Sequence, residues 1–189
     1  HRSIYSHQIA ALAGVTPAQV RRDLMSIGYS GSPNRGYDTG ALIHSIEEFL
    51  YDPEGQNVAL VGVGNLGRAI LAYLSGRRPR LSIVAAFDND PAKVNRVTQG
   101  VRCYPLEDLA RVVRESRVQV GILTVPAAAA QSVAERLVEA GVSGLLNFAP
   151  VALRVPPQVF VEQIDLAVSL EKVAFFARQA QVQRLERKL

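Results

Sequence analysis

The 189-residue chain has no tryptophan, one methionine and one cysteine, and only 6% of it is aromatic. A lone Cys103 excludes an internal disulfide and any metal cage built on cysteines. Its three histidines, His1, His7 and His44, all lie near the start, and Lys93, Lys172 and Lys188 are its only lysines. Long apolar runs are missing too. The best candidate, Val120 to Ala130, is interrupted by Pro126 and falls short of the roughly 18 residues that span a membrane. No basic-then-apolar leader opens the chain, so no secretory signal is expected, and the expected setting is the cytoplasm.

What remains is a soluble globular composition, 48% apolar and 20% charged, in a length suited to one or two domains. The net charge of +4 is small but segregated. Arg2, Arg21, Arg22 and Arg35 face only Asp23 within residues 1–37, and the acids Asp38, Glu47, Glu48, Asp52 and Glu54 follow. A basic head on an acidic connector is compatible with a phosphate-binding face, although scattered surface charge gives similar sums.

Beyond the Asp-Pro-Glu-Gly turn at 52–55, short β-branched runs at Val58–Val61, Ile83–Phe87, Val120–Val125 and Gly144–Phe148 alternate with helical patterns. The helices are expected at Leu66–Leu74, Leu106–Glu115 and Ala127–Ala140. Strands spaced by helices of that length predict a Rossmann-like α/β domain with a parallel sheet and right-handed crossovers. The tail from Leu166 carries Leu166, Leu170, Val173, Ala177, Ala180 and Leu185 at helical spacing.

The first of these strands runs into Gly62-Val63-Gly64-Asn65-Leu66-Gly67 and then directly into a helix. Gly62 permits the tight turn, Gly64 lets the backbone approach a pyrophosphate, and Gly67 allows helix and strand to pack closely. The free amides of the helix N-terminus then face the phosphates. The second strand ends at Asp88, 21 residues after Gly67, where a carboxylate accepts hydrogen bonds from the adenosine ribose and repels a 2′-phosphate. Asn89 and Asp90 follow with no arginine, so NAD+ and NADH are favoured over their phosphorylated counterparts. The competing reading is a glycine turn beside a surface acid. Ligands of such sheets sit beyond the carboxyl ends of the strands, which nominates Thr124-Val125-Pro126 and Asn147-Phe148-Ala149 for the nicotinamide end. Pro126 also has a plain role as the first residue of a helix.

Hydride transfer needs a general acid or base near the nicotinamide. No histidine lies in this domain, Cys103 has no partner to activate it and reads as an apolar filler, and only Tyr73 on the first crossover helix is a titratable group near the site. A cofactor cleft without catalytic groups points to sensing rather than turnover.

Residues Ser6–Ile27 read as two helices around a turn at Gly14, with Ser6 capping the first and Thr16-Pro17 opening the second. Ile9, Leu12, Val15, Val20 and Leu24 form the expected buried stripe, leaving Gln19, Arg21, Arg22 and Ser26 outward. Such a pair is a helix-turn-helix candidate whose second helix enters the major groove; it also occurs as a simple packed hairpin. The stretch Gly28–Tyr37, carrying Arg35, fits a β-wing.

Taken together, Gln19-Val-Arg-Arg-Asp-Leu24, Arg35-Gly-Tyr37, the glycine loop, Phe87-Asp-Asn-Asp-Pro-Ala-Lys-Val94, Leu123-Thr-Val-Pro126, Leu146-Asn-Phe-Ala-Pro150 and Ile164-Asp165 resemble the Rex family of redox-sensing bacterial repressors over nearly the whole chain. The resemblance implies a winged-helix DNA-binding domain and connector at 1–55, a Rossmann NAD(H)-binding domain at 56–165, and a swapped dimerisation helix at 166–189 in a homodimer. It implies binding to a palindromic operator through the major groove and release by NADH. Gln19, Arg21, Arg22, Ser26, Arg35 and Tyr37 would contact DNA. Gly62, Val63, Gly64, Asn65, Leu66, Gly67, Asp88, Asn89, Asp90, Thr124, Val125, Pro126, Asn147, Phe148, Ala149 and Tyr73 would hold the cofactor, with Tyr73 beside the nicotinamide. Asp165 and Leu166 would serve the inter-subunit switch. Family members open with a further helix, so the head is expected to lack its first one, and the wing departs from the usual basic pair at Ser32-Pro33-Asn34. The alternatives are a small NAD(H)-dependent oxidoreductase with an N-terminal dimerisation module, and a nucleotide- or CoA-binding domain sharing the glycine loop.

Overall fold

The computed structural model describes residues 3–32, 35–50, 55–74, 76 and 80–186, with side chains as far as 179. Two compact units divide it, His1–Gly55 and Gln56–Leu189.

The first unit opens with β1 (Ser3–Ile4), α1 (Ser6–Ala13) and α2 (Pro17–Ser26), and closes with β2 (Tyr37–Asp38) and α3 (Thr39–Leu50). Gly14 ends α1 in the left-handed region at φ +67°, where a side chain would be strained. The Thr16 hydroxyl accepts the Gln19 amide at 3.2 Å, and Pro17 stands at the first helical position of α2. Ser6 does not cap α1. It is itself the first helical residue, and Gln8 reaches back to accept the Tyr5 amide at 2.9 Å. β1 pairs antiparallel with β2, and a single bridge joins Ser32 to Gly36 across the wing loop; Pro33 and Asn34 lie outside the described residues.

The core of this unit is Ala10, Val20, Leu24, Tyr37 and Leu42, with Ile4, Ile9, Ile27, Tyr29 and Ile46 packed on it. The expected stripe is thus corrected at two positions. Leu12 is 84% exposed and Val15 is also exposed, because α1 turns the small Ala10 inward and Val15 lies beyond the Gly14 turn.

The second unit is built on a seven-stranded sheet ordered β5-β6-β4-β3-β7-β8-β9. Its strands are β3 (Gln56–Val61), β4 (Leu81–Asp88), β5 (Val97–Thr98), β6 (Val101–Pro105), β7 (Val118–Leu123), β8 (Gly144–Asn147) and β9 (Phe160–Gln163). All neighbours are parallel except the β5–β6 hairpin. The helices are α4 (Asn65–Leu74), α5 (Leu109–Glu115), α6 (Ala127–Glu139) and α7 (Leu166–Glu186). Expected Leu106–Glu115 is a 3₁₀ turn at Leu106–Asp108 followed by α5, and Pro126 is the N-cap of α6 rather than its first residue.

Alternation along β3 sends Ala59 and Val61 to one face and Val58 and Leu60 to the other, as strand geometry requires. Residues from α5 and α6, including Leu109, Val113, Val133 and Leu137, cover the first face. Leu71 of α4 and the half-buried Phe148 cover the second. The chain leaves β3 toward β4 on one side and returns to β7 on the other. That reversal opens a crevice at the carboxyl ends of β3 and β7, where ligands of open α/β sheets bind.

In contrast to these elements, α7 buries none of its apolar side chains among the described residues, which run to 179. Leu166, Val168, Leu170, Val173, Phe175 and Phe176 are each more than half exposed. No described helix is long and apolar enough to cross a membrane.

Candidate dinucleotide cleft and DNA-binding head

A cleft of about 430 Å³ occupies the crevice, lined by Val61, Gly62, Gly64, Asp88, Asn89, Lys93, Leu106, Thr124, Val125, Pro126, Ala129 and Val133. Its floor depends on two glycines. Gly62 has φ +99°, and a Cβ there would stand 2.6 Å from the Thr124 carbonyl oxygen. A Cβ on Gly67 would run into the Gly62 carbonyl oxygen and meet the Thr124 hydroxyl at 3.0 Å. Gly64 has nothing within 4 Å of the Cβ position, so its backbone faces open cleft. Space above Gly64, at the start of the ten-residue helix α4, fits a pyrophosphate held by helix-terminal amides. The Thr124 hydroxyl donates to the Gly62 carbonyl at 2.7 Å, which clamps the loop to β7 and leaves that hydroxyl occupied.

Asp88 is only 6% exposed, and its carboxylate turns inward. Oδ2 accepts the Val63 amide at 2.8 Å and the Lys93 ammonium at 3.1 Å; Oδ1 accepts the Asp90 amide at 2.9 Å. Asp88 therefore ties the glycine loop to the end of β4 before it meets any ribose. Burial works to raise its pKa, but the bonds from Asp90, Lys93 and Val63 outweigh that and hold the carboxyl below its ordinary value. Lys93 shifts upward, chiefly through its hydrogen bond to Asp88. Burial pushes the Cys103 thiol up, in keeping with an apolar filler.

A lowered folded-state pKa stabilises the fold above the unfolded value, near 4, and that contribution disappears as pH falls through the folded pKa. Urea unfolding followed from pH 6 to pH 2 is expected to show stability falling at the acid end, with a shallower fall in Asp88→Asn. Equal slopes in the two proteins would rule out this role for Asp88.

Of the sixteen expected cofactor residues, Gly62, Gly64, Asp88, Asn89, Thr124, Val125 and Pro126 line the cleft. Gly67 shapes it from beneath. Val63 is buried and contributes its amide to Asp88. Asn65 accepts a bond from Arg68 at 2.7 Å, and Leu66 is exposed. Asp90 stands behind Lys93. Tyr73 is 62% exposed on α4 and does not line the cleft.

Asn147 requires a correction, because its side chain is fully buried. Its amide nitrogen donates to the Val151 carbonyl at 2.8 Å and to Gln163 Oε1 at 2.7 Å, while its oxygen accepts the Ala149 amide at 3.0 Å. Gln163 in turn donates to the Ala149 carbonyl at 2.8 Å. The expected ligand is thus the pin of its own loop, and Ala149 is buried with it. Val61, Lys93, Leu106, Ala129 and Val133 line the cleft without having been expected there. Only Lys93 left a signal, in the Asp-Asn-Asp-Pro-Ala-Lys turn that directs a cation back at Asp88.

Asp165 is the N-cap of α7. Its Oδ1 accepts the Val168 amide at 3.0 Å, and its carbonyl accepts the Ser169 hydroxyl at 2.7 Å. Leu166 follows it, exposed.

On the head, Gln19, Arg21, Arg22, Ser26 and Arg35 are all exposed. Arg21 donates to the Ser6 hydroxyl at 3.2 Å and Ser26 to the Asp23 carbonyl at 2.7 Å. Tyr37 is the exception. It is buried in the core against Tyr29, since β2 pairs with β1 and turns this ring inward, so it is not a DNA-contacting surface residue.

A parallel sheet with a glycine turn at its reversal point, following a separate helix pair with an exposed basic face, defines a nucleotide-binding α/β protein bearing a winged-helix head. The comparisons narrow this class. A family model described as the CoA binding domain matches residues 54–151. The redox-sensing transcriptional repressor Rex of Carboxydothermus hydrogenoformans is 44% identical over 177 residues, covering 94% of this chain and 85% of the relative. Rex of Desulfitobacterium hafniense is 42% identical over 173 residues, covering 92% and 82%. Among solved structures, the Rex-family repressor RSP in complex with NAD+ and operator DNA is 29% identical with a TM-score of 0.86, covering 98% of this chain and 86% of that one. RSP in complex with NADH gives 29% and 0.84, covering 97% and 86%. The chain belongs to the Rex family of redox-sensing transcriptional repressors, which places it among regulators rather than enzymes.

Proposed function

We propose that this chain binds operator DNA through α2 and the wing, binds NAD+ or NADH in the cleft of the second unit, and is released from DNA by NADH. The observation that carries the reading is the cleft itself: a glycine turn, an open pyrophosphate position above Gly64 and an acidic β4 terminus meet at one sheet reversal. The RSP complexes with NAD+ and operator DNA, and with NADH, support it. The working form is a homodimer assembled through α7, in the cytoplasm, reading a palindromic operator with its two heads. Residues 1–55 form the DNA-binding domain and connector, 56–165 the cofactor domain and 166–189 the dimerisation helix. Asp165 and Leu166 act where the subunits meet.

For release, NADH must bind the DNA-competent and DNA-free arrangements with different free energies, since equal affinity shifts nothing. A coupling of about 1–3 kcal/mol suffices. NAD+ couples less because its charged ring is costlier to desolvate in a mainly apolar pocket than the neutral dihydronicotinamide.

The test is a mobility-shift titration on an operator duplex. NADH is expected to weaken binding and NAD+ to leave it intact; equal indifference to both refutes the sensor reading. Arg22→Ala is expected to cost about 1–3 kcal/mol of DNA binding if the side chain reads a base edge, measured in the same assay. The CoA-binding description favours a competing ligand, and displacement of NADH fluorescence by CoA would support that alternative.

A further inference from the structure

Lys93 is the one cationic side chain among the described residues lining the cleft, and it lies against Asp88, the carboxylate expected at the adenosine ribose. A free lysine there would welcome a phosphate on that ribose. It is not free: its ammonium lies 3.1 Å from Asp88 Oδ2 and 3.6 Å from Asp90 Oδ2. The two acids differ in what else they do. Asp88 holds the Val63 amide of the glycine loop, so its charge is inseparable from the shape of the cleft. Asp90 keeps one oxygen on the Ala92 amide at 2.9 Å, which fixes the turn presenting Lys93, and aims the other at the ammonium.

Building on the nicotinamide-dinucleotide reading above, we propose that Asp90 is a further specificity-determining residue for the dinucleotide, acting beside Asp88. By sharing the charge of Lys93 with Asp88, it keeps this end of the cleft net negative and turns away a ribose 2′-phosphate. Asp88 and Lys93 alone would cancel, and Asp90 tips the balance against a second anion. Its carboxylate is 42% exposed, so its charge can be removed without opening the core.

The experiment compares NADH and NADPH by fluorescence titration in the full chain, in the parent and in Asp90→Asn and Asp90→Ser, both of which keep an oxygen for the Ala92 amide. The ratio of the NADPH to the NADH dissociation constant is expected to fall by about tenfold in both variants, equivalent to about 1.4 kcal/mol. Adding Lys93→Ala to Asp90→Asn is expected to remove the gain, and added salt to diminish it. A ratio that stays within about twofold in both variants, or a gain that survives loss of Lys93, overturns the assignment while leaving the nicotinamide reading in place. Failure of the parent chain to bind either dinucleotide overturns both.

Discussion

Gly67→Ala is expected to lose NADH binding by at least about a hundredfold and to destabilise the second unit by about 1–3 kcal/mol, the usual cost of overpacking. The added methyl would collide with the Gly62 carbonyl, and neither neighbour can yield cheaply. That carbonyl already accepts the Thr124 hydroxyl at 2.7 Å, and Thr124 Oγ1 itself lies 3.0 Å from the new atom. Relief would require α4 to lift from the sheet, carrying its amide-bearing N-terminus away from the phosphates. Gly64→Ala supplies the contrast. Its methyl points into open cleft, so it is expected to impair ligand binding while unfolding within about 0.5 kcal/mol of the parent, as surface changes do. NADH titration together with urea unfolding separates the two, and a Gly67→Ala protein that binds NADH like the parent would contradict the packing role.

The second large effect is expected in α7. Leu170 and Val173 are 69% and 65% exposed, and burying a Leu or Val side chain is worth about 1.5–3 kcal/mol. A two-fold interface uses each residue twice, so the double variant Leu170→Asp, Val173→Asp removes four such contributions and adds four carboxylates. Light scattering is expected to show monomers at micromolar concentration. Operator affinity is expected to drop by at least about a hundredfold, because linked half-site binding contributes about 10²–10⁴ that separate heads forgo. A variant that remains dimeric would show that α7 does not carry the interface.

Most of the fold was legible because its elements repeat a strong local pattern. The β-branched runs of β3, β4, β7 and β8 and the glycine-to-helix transition are each specified within a few residues. The short strands β5, β6 and β9 were not read. Val97–Thr98 is two residues long, and β9 has only one half-buried side chain, so their pairing is decided by the sheet they join. In the site, the cleft-lining glycines and Thr124-Val125-Pro126 were legible from their position after strands. The inward turn of Asp88 and the burial of Asn147 were not, because each depends on a partner brought close only by folding, Val63 and Gln163 respectively; Lys93 left only the local turn that returns it to Asp88. Tyr37 shows the same limit in the head: an aromatic next to Arg35 reads as surface until the β1–β2 pairing sets which way it faces.

The bonds around Asn147 have a mechanical consequence. The Ile164 amide also donates to the Asn147 carbonyl at 2.8 Å, so the loop after β8 and the end of β9 are stitched at three points, one residue before the Asp165 cap of α7. The stitching leaves no slack joint between them. A displacement of the loop would be handed to the root of α7 as a turn of the whole helix, the way a crank moves its shaft, rather than absorbed by local melting.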